Sequence, residues 1–131
     1  MESESIPATG NQSPAQVDTI RRLNDAFNAH DVDAIMALMS ADCVFENTFP
    51  PPDGERYVGQ AAVRAFWENF FNESPQARFE IEEIIATAER AVLRWTYHWV
   101  DAQGNPGHIR GVDILHFEDE KISAKLSYVK G

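Results

Sequence analysis

The stretch Arg110-Gly111-Val112-Asp113-Ile114-Leu115-His116-Phe117 decides how the chain folds. Large apolar and β-branched residues recur through it, and the acidic Glu118-Asp119-Glu120 closes it, which is the composition of a strand ending in a turn. Side chains alternate between the faces of a strand. Asp113 therefore shares a face with Leu115 and Phe117, while Val112, Ile114 and His116 take the other. A carboxylate in an apolar row is tolerated only when it is hydrogen-bonded, paired or protonated. It is also the placement that acid/base chemistry in a water-poor pocket requires.

Upstream of this stretch, residues Ala91 to Val100 form a second strand, with Leu93, Trp95, Tyr97 and Trp99 on one face and Val92, Arg94, Thr96, His98 and Val100 on the other. The turn Asp101 to Pro106, containing Gly104 and Asn105, folds it back against His108 to Phe117 as an antiparallel hairpin, so the aromatic row lies beside the row of Asp113. Residues Arg78 to Thr87 add a strand before it, with Phe79, Ile81 and Ile85 set against Glu80, Glu82 and Ala86. Residues Lys121 to Lys130 add one after it, with Ile122, Ala124, Leu126 and Tyr128 set against Ser123, Lys125, Ser127 and Val129. On this alternation Asp113 is the one ionisable side chain that faces inward.

The first half of the chain is helical by period. Val17, Ile20, Leu23 and Phe27 stripe a helix from Gln16 to Ala29. Asp31 caps a second helix, Val32 to Ser40, with Val32, Ile35, Met36 and Met39 inward. A short strand, Cys43 to Asn47, follows. The segment Thr48 to Gly59, with three consecutive prolines, is a loop and a possible lid bearing Phe49 and Tyr57. A third helix, Gln60 to Asn72, presents Val63, Phe66, Trp67, Phe70 and Phe71. Residues Met1 to Ala15 lack large apolar side chains and are expected to be a flexible tail before a single domain, 16–131. Helices segregated from a meander of antiparallel strands define an α+β fold, and a curved sheet over three helices makes a cone with a blind apolar interior.

At 131 residues the chain is the size of one domain. Its 44% hydrophobic and 24% charged residues are those of a globular protein. A formal charge of -10 disfavours nucleic acid and anionic membrane as partners and leaves a neutral or cationic small molecule. A single cysteine, Cys43, excludes an internal disulfide framework. No run approaches the ~18 apolar residues of a membrane span and no signal peptide precedes the helices, so the expected location is cytoplasmic.

In order and spacing, three groups of residues resemble the SnoaL-like, ketosteroid-isomerase-like branch of the nuclear-transport-factor-2 (NTF2-like) superfamily, over roughly Val17 to Tyr128. The first is Asn28-Ala29-His30-Asp31-Val32-Asp33-Ala34-Ile35 leading to Ala41-Asp42-Cys43-Val44-Phe45-Glu46; the second is Tyr57-Val58-Gly59 before the aromatic helix; the third is Arg110-Gly111-Val112-Asp113 through Glu120-Lys121-Ile122. The resemblance implies a cone-shaped, cystatin-like sheet, antiparallel or mixed, and homodimers. It implies activities that include polyketide cyclases, steroid isomerases, dehydratases and epoxide hydrolases, beside non-catalytic members, with no metal or organic cofactor. In isomerases and cyclases of this kind an aspartate matching Asp113 acts in the pocket, as an oxyanion-hole donor or as an acid/base. The isomerases' proton-abstracting carboxylate corresponds to Asn47 here, and Leu23 stands nearest their helical tyrosine, which argues against ordinary ketosteroid isomerisation. The second aspartate of the epoxide hydrolases has no counterpart around Arg94 and Thr96.

The expected site is Asp113 as the catalytic group, Asn47 and Tyr97 orienting the ligand, and Phe49, Tyr57, Trp67, Phe71, Trp95 and Trp99 as walls. Each has a plainer alternative: Asp113 bonded to Tyr, Trp or backbone donors, Asn47 capping its loop, the aromatics filling the core. His98, His108, Arg110 and His116 fall on the outer sheet face, where a homodimer contact or solvent is expected. The four histidines show no ligand spacing, so no metal site is expected, and phosphate loops, nucleophile elbows and reactive-cysteine contexts are missing. The expected function is cofactor-independent cyclase, isomerase or dehydratase chemistry on a hydrophobic carbonyl or aromatic compound. The alternatives are a non-catalytic binding module and a dimeric association domain with a filled cone.

Overall fold

The computed structural model describes residues 12–131. Their elements run α1 (Pro14–Asn28), α2 (Val32–Ala37), β1 (Met39–Glu46), β2 (Arg56–Val58), α3 (Gln60–Glu73), β3 (Arg78–Ala86), β4 (Arg90–Val100), β5 (Pro106–Glu118) and β6 (Lys121–Val129). The strands form one sheet in the order β2-β1-β6-β5-β4-β3. Every pairing is antiparallel except β1 with β6, which is parallel, so the sheet is mixed and open at β2 and β3. With α1 and α3 packed on its inner face this is the expected α+β architecture.

Most of the expected tail, residues 1–11, lies outside the described residues. Helix α1 starts two residues earlier than its apolar period suggests, because Ser13 caps it by accepting the Gln16 amide and Pro14 occupies its first turn. The Ser13 amide donates to Ala86 O at 2.7 Å, and Gln12 bonds both Ile84 O and Ala86 N, so the chain is tied to β3 from Gln12 onward. Helix α2 stops at Ala37, short of the expected Ser40. Met39 is buried as the first residue of β1, opposite Ile122; a short apolar run of this kind satisfies the helical and the extended period alike. Inside the expected loop, β2 pairs Tyr57 with Phe45 of β1.

Ile20, Leu23 and Phe27 of α1 and Val63 and Trp67 of α3 press on Phe45, Leu93, Leu115 and Ile122. The inner rows of β4 and β5 alternate as expected, but two extra residues reverse the phase of their neighbours. In β3, Ile81 faces Trp95 while Glu83 faces Arg94, so Glu82 is a bulge; beyond it Ile84 and Ala86 turn inward and Ile85 outward, the opposite of the expected alternation. In β6, Ile122 faces Phe117 while Ala124 faces His116, so Ser123 is the bulge, and Lys125 and Ser127 turn inward while Tyr128 is exposed. Bulges bend a strand and increase its twist, which suits a sheet that must wrap over helices.

Candidate functional site

The inner sheet surface is a lattice of cross-strand neighbours. Ala91, Leu115 and Lys125 form one row, Leu93, Asp113 and Ser127 the next, and Trp95, Gly111 and Val129 the third. Glycine is required in the third row: a Cβ on Gly111 would stand 2.3 Å from Tyr128 O and 2.6 Å from the Trp95 ring. Trp99 likewise covers Gly107, its partner on β5. Two strand glycines thus make room for two indoles laid across them, and the indoles close one side of a cavity.

The cavity has a volume of about 300 Å³. Phe27, Phe45, Phe66, Trp67, Phe70, Phe79, Trp95, Tyr97 and Trp99 supply its walls, and its polar groups include Asp113, Lys125, Ser127, Asn24, Asn47 and Thr48. That size is at the lower end for small-molecule sites.

Asp113 is 2% exposed and is both paired and hydrogen-bonded. Ser127 Oγ donates to its Oδ1 at 2.6 Å, and Lys125 Nζ lies 3.0 Å from its Oδ2. Lys125 is itself 6% exposed, with Nζ 4.8 Å from the centre of the Phe45 ring, 5.4 Å from Phe27 and 5.5 Å from Trp67. An ammonium among three ring faces gains from their quadrupoles, and the carboxylate neutralises it. Asp113 is therefore not the one inward ionisable group, as unbroken alternation through β6 implies; the Ser123 bulge sets a lysine beside it.

Of the other expected residues, Asn47, Phe49, Trp67, Trp95, Tyr97 and Trp99 line the cavity. Asn47 Oδ1 accepts the Thr48 amide at 2.8 Å, so this oxygen caps the loop and the amide nitrogen is left for other partners. Phe49 is 69% exposed at the rim. The Tyr97 ring stacks on Phe79, and burial pushes its phenol up, against a smaller opposing hydrogen bond with Ser74. Tyr57 and Phe71 are not among the lining residues. Tyr57 packs on Phe45 and Phe66 with its hydroxyl turned to Glu55, and Phe71 is held in the core, stacked on His30 at 4.4 Å.

Phe27, Phe45, Phe66, Phe70 and Phe79 lie outside the expected set and also line the cavity, and Lys125 and Ser127 complete the polar floor. The apolar periods place Phe27, Phe66, Phe70 and Phe79 inward, but nothing local in Lys121 to Lys130 marks the bulge. The buried Trp67 and Trp95 indole nitrogens have no hydrogen-bond partner among the described residues. Among those residues no three His, Cys, Asp or Glu side chains stand close enough to hold a metal ion, and no helix is long and apolar enough to cross a membrane. Burial pushes the Cys43 thiol up, away from nucleophilic use.

The model of the SnoaL-like domain matches residues 20–125. An NTF2-like protein of unknown function from Mesorhizobium loti is 35% identical, with a TM-score of 0.76, over 96% of this chain and 98% of its own. TerC, co-crystallised with polyporic acid, is 17% identical with a TM-score of 0.77, over 88% of this chain and 92% of its own. A candidate polyketide cyclase from Xanthomonas campestris pv. campestris is 22% identical with a TM-score of 0.71, over 88% and 90%. No curated protein sequence matches the chain.

Proposed function

The chain belongs to the SnoaL-like family of the NTF2-like fold, and from that premise we propose that it binds a small hydrophobic carbonyl or aromatic compound in the cavity and performs acid/base chemistry on it with Asp113. The observation that carries this reading is a carboxylate at the floor of an aromatic cavity, held by Ser127 and Lys125 and counted among the residues that line it. Each carboxylate oxygen has a lone pair beyond the one already engaged, so Asp113 can accept a proton from a bound C–H or O–H without first losing either partner. Asn47 and the faces of Tyr97 and Trp99 orient the compound. The likeness to a candidate polyketide cyclase and to TerC co-crystallised with polyporic acid supports an aromatic, oxygen-bearing ligand. On the outer sheet face, exposed Ile85, Val92, Val100 and Tyr128 supply apolar surface for a homodimer, and a monomeric mass in light scattering would count against that assembly.

Proton abstraction can be read without knowing the product. A bicyclic ketone such as 2-tetralone, incubated with the protein in D₂O, takes up deuterium next to its carbonyl if a base in the cavity removes that proton. Asp113→Asn is expected to slow this exchange by about 10²-fold or more, the usual contribution of a positioned base. Exchange that is equally fast in Asp113→Asn removes Asp113 from the chemistry. Binding without any exchange in the wild type favours a non-catalytic module, the reading to which Asn47 in place of a second carboxylate points.

A further inference from the structure

Within the reading of the cavity as a ligand site, we propose that Lys125 is its anion-binding group and that the ligands are weakly acidic oxygen compounds, enols, phenols or enolisable ketones, held as their oxyanions. An ammonium carries three N–H donors. At Lys125 one is directed to Asp113 Oδ2 at 3.0 Å and one to Ser127 Oγ at 3.3 Å. No other protein acceptor is in place among the described residues; the third donor has only the rings of Phe27, Phe45 and Trp67, 4.8–5.5 Å from the nitrogen and all lining the cavity, as neighbours, and a ligand oxygen entering there is a stronger acceptor than a ring face. A side chain so fully buried with a donor to spare is a built site for an oxygen atom.

Charge conservation names the kind of oxygen. In a medium of low dielectric any step that leaves a lone charge is costly, whereas one that moves charge between close neighbours is not. A neutral enolisable ketone enters a cavity holding one carboxylate and one ammonium. Asp113 takes the proton: the C–H bond breaks, an O–H bond forms on the carboxyl, and the electron pair passes through the new C=C bond to the carbonyl oxygen. That oxygen becomes an anion as Asp113 ceases to be one. Lys125 then exchanges one anionic partner for another a few ångströms away, and the charge of the cavity is unchanged. Ser127 stays bonded to Asp113 and holds it in place. A phenol or enol follows the same course with an O–H bond broken in place of C–H.

Asp113→Asn imitates the site after the proton has moved, with a neutral side chain beside the ammonium. The probes are 4-nitrophenol, at a pH where the free phenol is ionised and its phenolate absorbs visible light, and 4-nitroanisole, of similar shape but never charged. In Asp113→Asn the phenolate is expected to bind about tenfold tighter than the anisole, or more, the range of a hydrogen bond to a charged group. In Asp113→Asn/Lys125→Met the preference is expected to vanish, with anisole affinity kept within about twofold. The wild type gives a second measurement if the single variant does not fold. It should also prefer the phenolate, by a smaller factor, and take up a proton from unbuffered solution on binding it. No phenolate preference in Asp113→Asn, a preference that survives loss of Lys125, or wild-type binding of the phenolate without proton uptake each overturns the assignment while leaving the cavity as a ligand site. Failure of either probe to bind any form overturns the ligand site and the assignment together.

Discussion

On the inner face of the sheet Asp113 meets one ammonium and one hydroxyl among aromatic rings; on the outer face Glu82 meets two guanidinium groups and a hydroxyl within reach of water. Arg110 Nη2 lies 2.7 Å and Arg94 Nη1 2.9 Å from Glu82 Oε1, and Thr96 donates to its other oxygen. The Arg110 and Thr96 hydrogen bonds hold the Glu82 carboxyl down at about 2, below its ordinary value of 4.5. Arg110 and Arg94 are nearly half exposed, whereas Lys125 and Asp113 are almost wholly buried. Water can replace a lost partner on the outer face. The inner pair is almost wholly buried among aromatic rings, so it is costly to break and each member constrains the other.

Removing one partner on each face gives the largest expected contrast. Lys125→Met leaves the Asp113 carboxylate buried without its cation and is expected to cost about 3–5 kcal/mol in urea denaturation, most of it recovered in Asp113→Asn/Lys125→Met, where neither charge remains. Arg110→Met, on the outer face, is expected to cost no more than about 1 kcal/mol, because Arg94, Thr96 and water remain to Glu82. Equal losses on the two faces would remove the distinction between them.

A smaller effect separates the sheet surface under the indoles from the exposed rim. Gly111→Ala pushes a methyl group into Tyr128 O and the Trp95 ring, and an overpacked site of this kind is expected to cost about 1–3 kcal/mol and to shift Trp95 fluorescence. Phe49→Ala, at the exposed rim, is expected to leave stability unchanged within about 0.5 kcal/mol while weakening binding of the nitroanisole probe.

On the outer face Glu82 makes stability depend on pH in acid. The Glu82 carboxyl is lower in the folded chain than in the unfolded one, so its stabilisation is complete above about pH 4.5 and is lost as the pH falls toward 2. Wild type should exceed Glu82→Gln in stability above that window, and the difference should narrow through it in an acid titration followed by circular dichroism. A gap that stays constant down to pH 2 contradicts the assignment.

Strict alternation was enough to set Asp113, Leu115 and Phe117 in one row and Leu93, Trp95, Tyr97 and Trp99 in another, because β4 and β5 pair without a slip over that span. It failed at β3 and β6. A bulge is set by the partner strand and by the bend the sheet must make, and the residue that supplies it, Glu82 or Ser123, has no local mark. One unseen residue in β6 is the whole reason that Lys125 read as outward. The three residues of β2 were hidden by the prolines and glycines around them, since so short a strand is held by its pairing with β1 more than by its own composition. Period marks the aromatic residues of α1, α3 and β4 as inward but does not separate lining from core, so Phe71, expected as a wall, lies in the core, and Tyr57, expected on a lid, packs on Phe45 and Phe66.

The pairing of a ligand oxygen with Lys125 can be seen in a crystal structure of Asp113→Asn grown with 4-nitrophenol. The phenolate oxygen is expected at hydrogen-bond distance from Lys125 Nζ, about 2.7–3.2 Å, with the ring lying among Phe45, Trp67 and Trp95. A phenolate turned with its oxygen toward Phe49 at the rim, or seated beside Arg94 and Arg110 on the outer face with the cavity unfilled, would contradict it.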